Sequence, residues 1–256
     1  MIVHKSDPSD VGTTKIAAEQ DRKEVLFEEL KNMGVPPTDQ QIEQLLRYMD
    51  LVLDRNQHIN LTAIRDPEEF LLRHYVDSAA VMILPEYRNA KNILDLGTGA
   101  GFPGVPLAIL SPEKEFILVD ALQKRLKVIS EFTEELGIHN VEVVHSRAED
   151  LGRNRRFREQ LDLCVSRAVA DLSVLSEYCL PLVRVGGSFI AYKGSDIQEE
   201  IDGAEKAIGV LGGKLDQIHP VSVAGTDHTL VVIQKEKHTP KTYPRKAGTP
   251  GKFPIK

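Results

Sequence analysis

The chain has 256 residues, of which 41% are hydrophobic and 27% are charged, and its formal net charge at pH 7 is −6. This composition is typical of a globular protein that buries a sizeable core. The start of the chain has no apolar signal segment, and no apolar run approaches the ~20 residues of a membrane helix. We therefore expect a cytoplasmic protein that does not bind membranes. Its two cysteines, Cys164 and Cys179, lack metal-binding or redox spacing, so we expect buried free thiols and no metal site.

Helical signals dominate the first third of the chain. The first 13 or so residues are expected to be disordered, and a helix is expected from about Lys15 to Met33. The next helix begins at Thr38, and Gln41 three residues later completes a capping box. A third helix begins at Asp66, which is followed by a proline and two acidic residues. Residues 1–88 are therefore predicted to form an N-terminal helical extension.

From residue 89 to residue 236, short β-type runs alternate with helical segments. Strands are predicted at Ile93–Leu96, Phe116–Asp120, Val141–His145, Leu161–Ser166 and Ser188–Tyr192. Helices are predicted from Gln123 to Leu136 and from an N-cap at Asp196 to Gly212, and residues 215–219 and 229–235 predict a terminal hairpin. This alternation predicts an α/β fold whose mostly parallel, Rossmann-like sheet is covered by helices on both faces.

A glycine turn follows the first predicted strand and reads Gly97-Thr98-Gly99-Ala100-Gly101-Phe102. Glycines allow positive φ and let a ligand lie against bare main chain. A dinucleotide site requires the spacing G-x-G-x-x-G, but Phe102 stands where the third glycine belongs. The turn therefore favours S-adenosylmethionine, and a nicotinamide oxidoreductase is the less favoured alternative.

Two acidic residues support the same cofactor. Asp120 ends the second predicted strand, 19 residues beyond Gly101, where a carboxylate can accept from both ribose hydroxyls. Asp95 precedes the turn by two residues and is suited to the α-ammonium group of the methionine part. We expect Gly97 and Gly99 to contact this ligand through their main chain.

Several segments resemble the glucose-inhibited division protein B family, bacterial methyltransferases that modify guanine N7 in small-subunit (16S) ribosomal RNA. The matching segments are Asn60–Ile64, Arg73–Ser78, Ile93–Gly104, Ser146–Glu149, Ser166–Val169, Pro240–Lys241 and Pro244–Pro250. The resemblance implies a class I methyltransferase-type fold with S-adenosylmethionine as the cofactor. It also implies a donor site lined by Gly97, Phe102, Ala148, Glu149 and Arg167.

Arg167 and Lys193 follow the fourth and fifth predicted strands, where donor and acceptor should meet. Guanine N7 has a free lone pair and no proton to lose, so no general base is expected, and we expect Arg167 to position the guanine or the donor. Lys193 is the second positioning candidate. His74 and Asp77 lie three residues apart on one helical face, and we expect a satisfied polar pair at a domain junction rather than a catalytic pair.

The charge of the chain is unevenly distributed. From Lys235 to Lys256 there are seven Lys or Arg and one acidic residue, whereas the preceding residues carry 25 basic and 37 acidic ones. A basic tail at residues 237–256 indicates a polyanionic partner, although a solvated, partly disordered terminus gives the same pattern. The predicted RNA contacts are Arg245, Lys246, Lys124, Arg125 and Lys193.

These observations leave three functions open. The first is methylation of 16S ribosomal RNA by a monomeric enzyme that acts on the assembled small ribosomal subunit, since an acidic body should bind free RNA weakly. The second is a small-molecule methyltransferase, which shares the donor site but does not explain the basic tail. The third is a non-catalytic RNA- or ribosome-binding module, against which the intact donor residues speak.

Overall fold

The computed structural model describes residues 8–167, 169–223 and 225–256. The predicted disorder of residues 1–7 lies outside this range, whereas residues 8–13 belong to the first helix. The helices are α1 (Pro8–Asn32), α2 (Asp39–Arg55), α3 (Pro67–Phe70), α4 (Asp77–Ala79), α5 (Pro85–Asn89), α6 (Gly104–Leu110), α7 (Gln123–Glu135), α8 (Ala148–Leu151), α9 (Leu172–Cys179), α10 (Gln198–Val210) and α11 (Thr249–Lys252). A π-helical turn at Leu71–Val76 joins α3 to α4, and a 3₁₀ turn at Ala80–Ile83 follows.

Local hydrogen bonds explain where two of these helices begin. The Thr38 backbone N–H donates to Gln41 Oε1 over 2.9 Å, and Gln41 N–H donates back to the Thr38 hydroxyl, so the predicted capping box is confirmed. Asp66 Oδ1 likewise accepts from the third residue of α3 over 2.9 Å. The predicted cap at Asp196 is wrong, because α10 begins two residues later after Ile197, which provides no side-chain cap.

Seven strands of the described chain form one sheet. They are β1 (Asn92–Leu96), β2 (Glu115–Asp120), β3 (Val141–His145), β4 (Leu161–Arg167), β5 (Val183–Gly194), β6 (Gly213–Val223) and β7 (Thr226–Lys235). Their order is β3-β2-β1-β4-β5-β7-β6, and all pairs are parallel except those made by β7. The α/β fold and the terminal hairpin are confirmed. Since β1 lies between β2 and β4, the crevice beyond the carboxyl ends of β1 and β4 is where a ligand is expected.

Each face of the sheet has its own core. On one face, α6 and α7 pack together with the N-terminal helices in a single apolar cluster that includes Leu45, Tyr48 and Val105. Tyr48 Oη, in α2, donates to the carbonyl of Ala100 in the glycine turn over 2.8 Å. On the other face, α9 and α10 pack in a second cluster. The N-terminal helices therefore pack directly against the glycine turn.

Candidate active site

The glycine turn requires glycine at the three positions that the sequence indicates. Gly97, Gly99 and Gly101 have φ of 77°, 60° and 91°, values that side chains rarely adopt. Space is also restricted, because a Cβ at Gly101 would lie 2.5 Å from Tyr48 Oη and one at Gly97 would lie 2.4 Å from a methyl carbon of Val169. The turn is therefore packed from both sides, by α2 and by the segment that follows β4.

A cleft of about 320 Å³ opens at the carboxyl ends of β1, β2 and β3, and it is called here the β1–β2 cleft. Four of the predicted cofactor residues line it, namely Gly97, Asp120, Ala148 and Glu149. Arg125, Val169 and Tyr178 also line it. The cleft thus brings together residues that lie more than 50 positions apart in the sequence.

Asp120 combines a structural task with free acceptor capacity. Its Oδ2 accepts from Gly99 N over 3.0 Å, and its Oδ1 accepts from Leu122 N over 2.8 Å. Each carboxylate oxygen has a second lone pair, so both can still accept from hydroxyl groups in the cleft. Arg125 Nη1 lies 3.6 Å from Oδ2, which places this predicted RNA contact at the wall of the cleft.

The carboxylate of Glu149 is bound by the C-terminal segment on the side away from the cleft. Glu149 is 3% exposed, and its Oε1 accepts from the backbone N–H of Gly248 over 2.7 Å. Its Oε2 lies 3.8 Å from Arg147 Nε. The side chain therefore borders the cleft while the C-terminal segment fixes one of its oxygens.

Asp95 and Phe102 lie beneath the turn and do not line the cleft. Asp95 is fully buried, its Oδ2 accepts from Gly104 N over 2.9 Å, and burial raises its pKa to about 6. Its Oδ1 and the Thr98 hydroxyl have no hydrogen-bond partner within the described residues. Phe102 stacks on His74, with ring centroids 4.1 Å apart and an interplanar angle of 2°. The structure thus places both residues in the support of the turn.

Arg167 is held by residues of the N-terminal extension. Its Nη1 donates to Asp77 Oδ2 over 2.7 Å and to the Arg73 carbonyl over 3.1 Å. Its Nη2 lies 3.2 Å from His74 Nδ1, which must accept, so the proton of His74 is on Nε2, 2.8 Å from the Thr62 hydroxyl. Burial and the neighbouring Arg167 lower the pKa of His74 to about 3, which keeps the ring neutral.

Lys193 is similarly occupied. Its Nζ donates to the Ala170 carbonyl over 2.6 Å and pairs with Glu200 Oε1. What we call the β4-end cluster consists of Arg167, Asp77, His74, Lys193 and Glu200. Ala168, in the predicted motif that follows β4, lies outside the described residues. Through Lys193, the cluster connects the segment after β4 to α10, and through Arg167 it connects the end of β4 to the N-terminal helices. Both cations therefore already have carboxylate or carbonyl partners.

The basic tail does not lie free of the domain. Arg158 donates to the carbonyls of Tyr243 and Thr239 over 2.8 Å each. Arg245, a predicted RNA contact, pairs with the buried Glu177, with Nη2 and Oε2 2.6 Å apart. Lys246 and Lys124 are exposed, as RNA contacts would be.

Three polar residues that the sequence analysis missed hold these parts together. Asn56 closes the loop after α2 by bonding Leu61 N and the Thr62 carbonyl, each over 2.8 Å. Glu177 pairs with Arg245, which lies 68 residues later, and Glu200 pairs with Lys193, which lies seven residues earlier on β5. No local pattern distinguishes such carboxylates from ordinary helical ones, because their partners are set by tertiary packing.

Both cysteines are buried and free. Within the described ranges, no group of three or more His, Cys, Asp or Glu could hold a metal ion. None of the described helices is both long and apolar enough to cross a membrane.

Comparisons with known proteins identify the chain's relatives. The model of the family described as "GidB: rRNA small subunit methyltransferase G" matches residues 41–230. Ribosomal RNA small subunit methyltransferase G from Clostridium novyi (strain NT) is 45% identical over 227 residues, covering 88% of this chain and 93% of the relative. The protein of the same name from Alkaliphilus oremlandii (strain OhILAs) is 46% identical over 236 residues, covering 91% and 99%.

Solved structures share the fold. The crystal structure of the O-methyltransferase TomG from Streptomyces achromogenes, in complex with SAM, superposes with a TM-score of 0.52. It is 16% identical and covers 75% of this chain and 90% of its own. This likeness confirms the class I methyltransferase-type fold.

Proposed function

The chain belongs to the rRNA small subunit methyltransferase G family, and we propose that it methylates N7 of a guanine in 16S ribosomal RNA. Membership confirms the expected class of enzyme, an S-adenosylmethionine-dependent rRNA methyltransferase, over the small-molecule and non-catalytic alternatives. We further propose a monomeric, cytoplasmic enzyme that acts on the assembled small subunit. We likewise propose that residues 1–88 form a helical extension and that residues 89–236 form the catalytic domain.

The observation that carries the proposal is the β1–β2 cleft. Its polar groups fit S-adenosylmethionine, since Asp120 keeps acceptor capacity for ribose hydroxyls and the Glu149 carboxylate, which only accepts hydrogen bonds, suits an amino group rather than a phosphate. Gly97 and Gly99 offer main chain for close approach.

In the bound state, S-adenosylmethionine supplies an electrophilic methyl group on a positively charged sulfur. Guanine N7 carries its own lone pair, so no side chain has to remove a proton. The contribution of the protein is alignment of N7 with the methyl group and exclusion of water. Arg167, which Asp77 holds at the end of β4, is proposed to position the guanine or the donor.

The acceptor is proposed to approach from the β4 side. A second cleft, of about 580 Å³, lies between the end of β5 and the β6–β7 hairpin and is lined by Asp196, Pro220 and His228. His228 Nδ1 lies 3.9 Å from Asp77 Oδ1, so this cleft adjoins the β4-end cluster. RNA phosphates are proposed to contact the exposed Lys246 and Lys124, with Arg125 at the rim.

Methyl transfer to ribosomal subunits tests the proposal. The full-length protein is incubated with S-adenosylmethionine carrying a labelled methyl group and with small subunits that lack their natural methylation, and the label is mapped. We expect one labelled guanine at N7 and weaker labelling of protein-free 16S RNA. Absence of label from RNA would overturn the proposal, and equal labelling of both substrates would remove the preference for the assembled subunit. Full turnover and full donor affinity in Arg167→Ala would remove the proposed role of Arg167.

A further inference from the structure

The C-terminal segment 243–251, which we call the tail strap, contacts both short helices that carry side chains into the β1–β2 cleft. Glu149, in α8, accepts from Gly248 N over 2.7 Å. Tyr178, in α9, also lines the cleft, and a Cβ at Gly251 would lie 3.8 Å from its hydroxyl. The strap therefore supports the wall of the cleft opposite the glycine turn.

The tail strap contacts α8 at both ends of the helix. At the end of α8, a Cβ at Gly152 would lie 2.9 Å from Pro244 Cγ, so only a glycine leaves room for this proline. Arg153 Nε and Nη2 donate to the Pro244 carbonyl over 2.9 and 2.7 Å. At the start of α8, Gly248 holds Glu149. The position of α8 and the position of the strap are thus mutually dependent.

Arg245 anchors the strap to α9. Its Nε and Nη2 bond both carboxylate oxygens of Glu177, and its backbone N–H donates to Glu177 Oε1 over 2.7 Å. Glu177 is 1% exposed. A buried carboxylate is costly without a cation, and truncation of one partner leaves the other uncompensated. The guanidinium of Arg245 is therefore bound to the buried Glu177, and the Arg245 side chain is only 27% exposed, whereas its neighbour Lys246 lies on the surface.

We propose that the tail strap is part of the methyl-donor site, in which Arg245 acts as an anchor and a positioning residue rather than as an RNA contact. The inference rests on the proposed function, because it assigns S-adenosylmethionine to the β1–β2 cleft. With Oε1 fixed by Gly248, Glu149 presents Oε2 to the cleft in one orientation. Release of the strap removes that constraint and the support behind Tyr178, so donor affinity falls.

Arg245→Ala and Lys246→Ala form a matched pair, since each removes one positive charge from the same segment. Isothermal titration calorimetry of the full-length protein with S-adenosylhomocysteine is expected to give a Kd about 10-fold higher for Arg245→Ala, within the usual range of site coupling. Lys246→Ala is expected to keep the wild-type Kd, and Arg245→Lys to restore part of the affinity. A wild-type Kd in Arg245→Ala, or equal losses in the two alanine variants, would overturn the inference.

Gly152→Ala tests the same strap without changing any charge. The added methyl group displaces Pro244, so we expect weaker binding of S-adenosylhomocysteine and faster tryptic cleavage after Lys246. Gly203→Ala, in α10, is the control, because nothing lies within 4 Å of the added carbon. If Gly152→Ala accelerates cleavage but leaves the Kd unchanged, the strap is not coupled to the cleft and the inference fails.

Salt titrations of subunit binding separate this inference from the proposed function. Loss of a phosphate contact lowers the slope of log K against log salt by about one. We expect that loss for Lys246→Ala and not for Arg245→Ala. A wild-type protein that fails to bind S-adenosylmethionine would contradict the proposed function itself. Normal donor binding in Arg245→Ala together with a reduced salt slope would instead return Arg245 to the RNA interface.

Discussion

The β1–β2 cleft and the β4-end cluster lie side by side on one edge of the sheet, but their polar groups are used differently. In the cleft, Asp120 and Glu149 each bind backbone N–H groups from behind and keep lone pairs toward open space. In the cluster, Arg167 and Lys193 donate to carboxylates and carbonyls of the protein itself. The first region keeps acceptor capacity that a ligand can use, whereas the cations of the second are already paired within the protein.

The segment after β4 connects the two regions. A Cβ added to Gly97 would lie only 2.4 Å from a methyl carbon of Val169. The Val169 side chain therefore covers the bare main chain of the turn at Gly97. Lys193 holds the same segment through the Ala170 carbonyl. For the donor placement proposed above, the adenosine half of the site is open and the methionine half is covered by Val169. The variants below test this contrast between the two regions.

Asp77→Ala should have the largest effect, because it leaves Arg167 without its buried partner. We expect kcat/KM with small subunits to fall about 100-fold through misplacement of Arg167, and the free energy of unfolding to fall by roughly 3 kcal/mol. Asp77→Asn, which retains an acceptor for Arg167, should recover part of both. Steady-state kinetics and denaturant titration measure these changes.

Glu135→Ala, which removes the partner of Arg47 on the surface, is the control for Asp77→Ala. Both side chains of that pair are about half exposed, and such pairs contribute little. Wild-type kcat/KM in a folded Asp77→Ala protein would show that the β4-end cluster has no part in catalysis.

Asp95 lies beneath the boundary of the two regions, and its replacement by Asn tests the buried charge. Because burial raises the pKa of Asp95 from 3.8 to about 6, the folded state binds more protons than the unfolded state between these pH values. Wild-type stability should therefore fall as pH rises through this window. The stability of Asp95→Asn relative to wild type should rise by roughly 2 kcal/mol between pH 4 and pH 6. A difference that stays constant with pH would show that Asp95 titrates normally.

Asp120→Asn tests the open region. The amide keeps one acceptor and places an NH₂ group against Gly99 N or Leu122 N, so we expect the Kd for S-adenosylhomocysteine to rise about 20-fold. Asp162→Asn is the matched control, because Asp162 also accepts two backbone N–H groups, from Lys91 and Asn92, at the opposite edge of the sheet. Equal effects of the two variants on ligand affinity would mean that Asp120 acts only through stability.

The sequence predicted the open region better than the closed one. The glycine turn, Asp120 and the cap at Thr38 depend on local backbone requirements, which a short stretch of sequence records. The partners of Arg167 come from a segment 90 residues earlier, and only the packing of the helical extension brings them together. Phe102 was expected beside the ligand, but the ring of His74 stacks on it.

The tail was the least predictable part. Its lysines, prolines and glycines are typical of a solvated terminus, and its attachment depends on Glu177 and on the space at Gly152, two features of distant helices. Of the seven basic residues from Lys235 to Lys256, two, Lys235 and Arg245, are paired with Glu159 and Glu177. The charge available for RNA is therefore smaller than the composition indicates.

The most direct test of the contrast compares two ligands in Val169→Ala. S-adenosylhomocysteine fills both halves of the donor site, whereas 5′-methylthioadenosine lacks the amino-acid end. Since Val169 covers Gly97, its truncation should tighten S-adenosylhomocysteine binding about fivefold, the effect of roughly 1 kcal/mol of apolar contact. Binding of 5′-methylthioadenosine, measured by the same calorimetry, should stay unchanged. Equal shifts for the two ligands, or weaker binding of S-adenosylhomocysteine alone, would contradict a donor site that is open on one side and covered on the other.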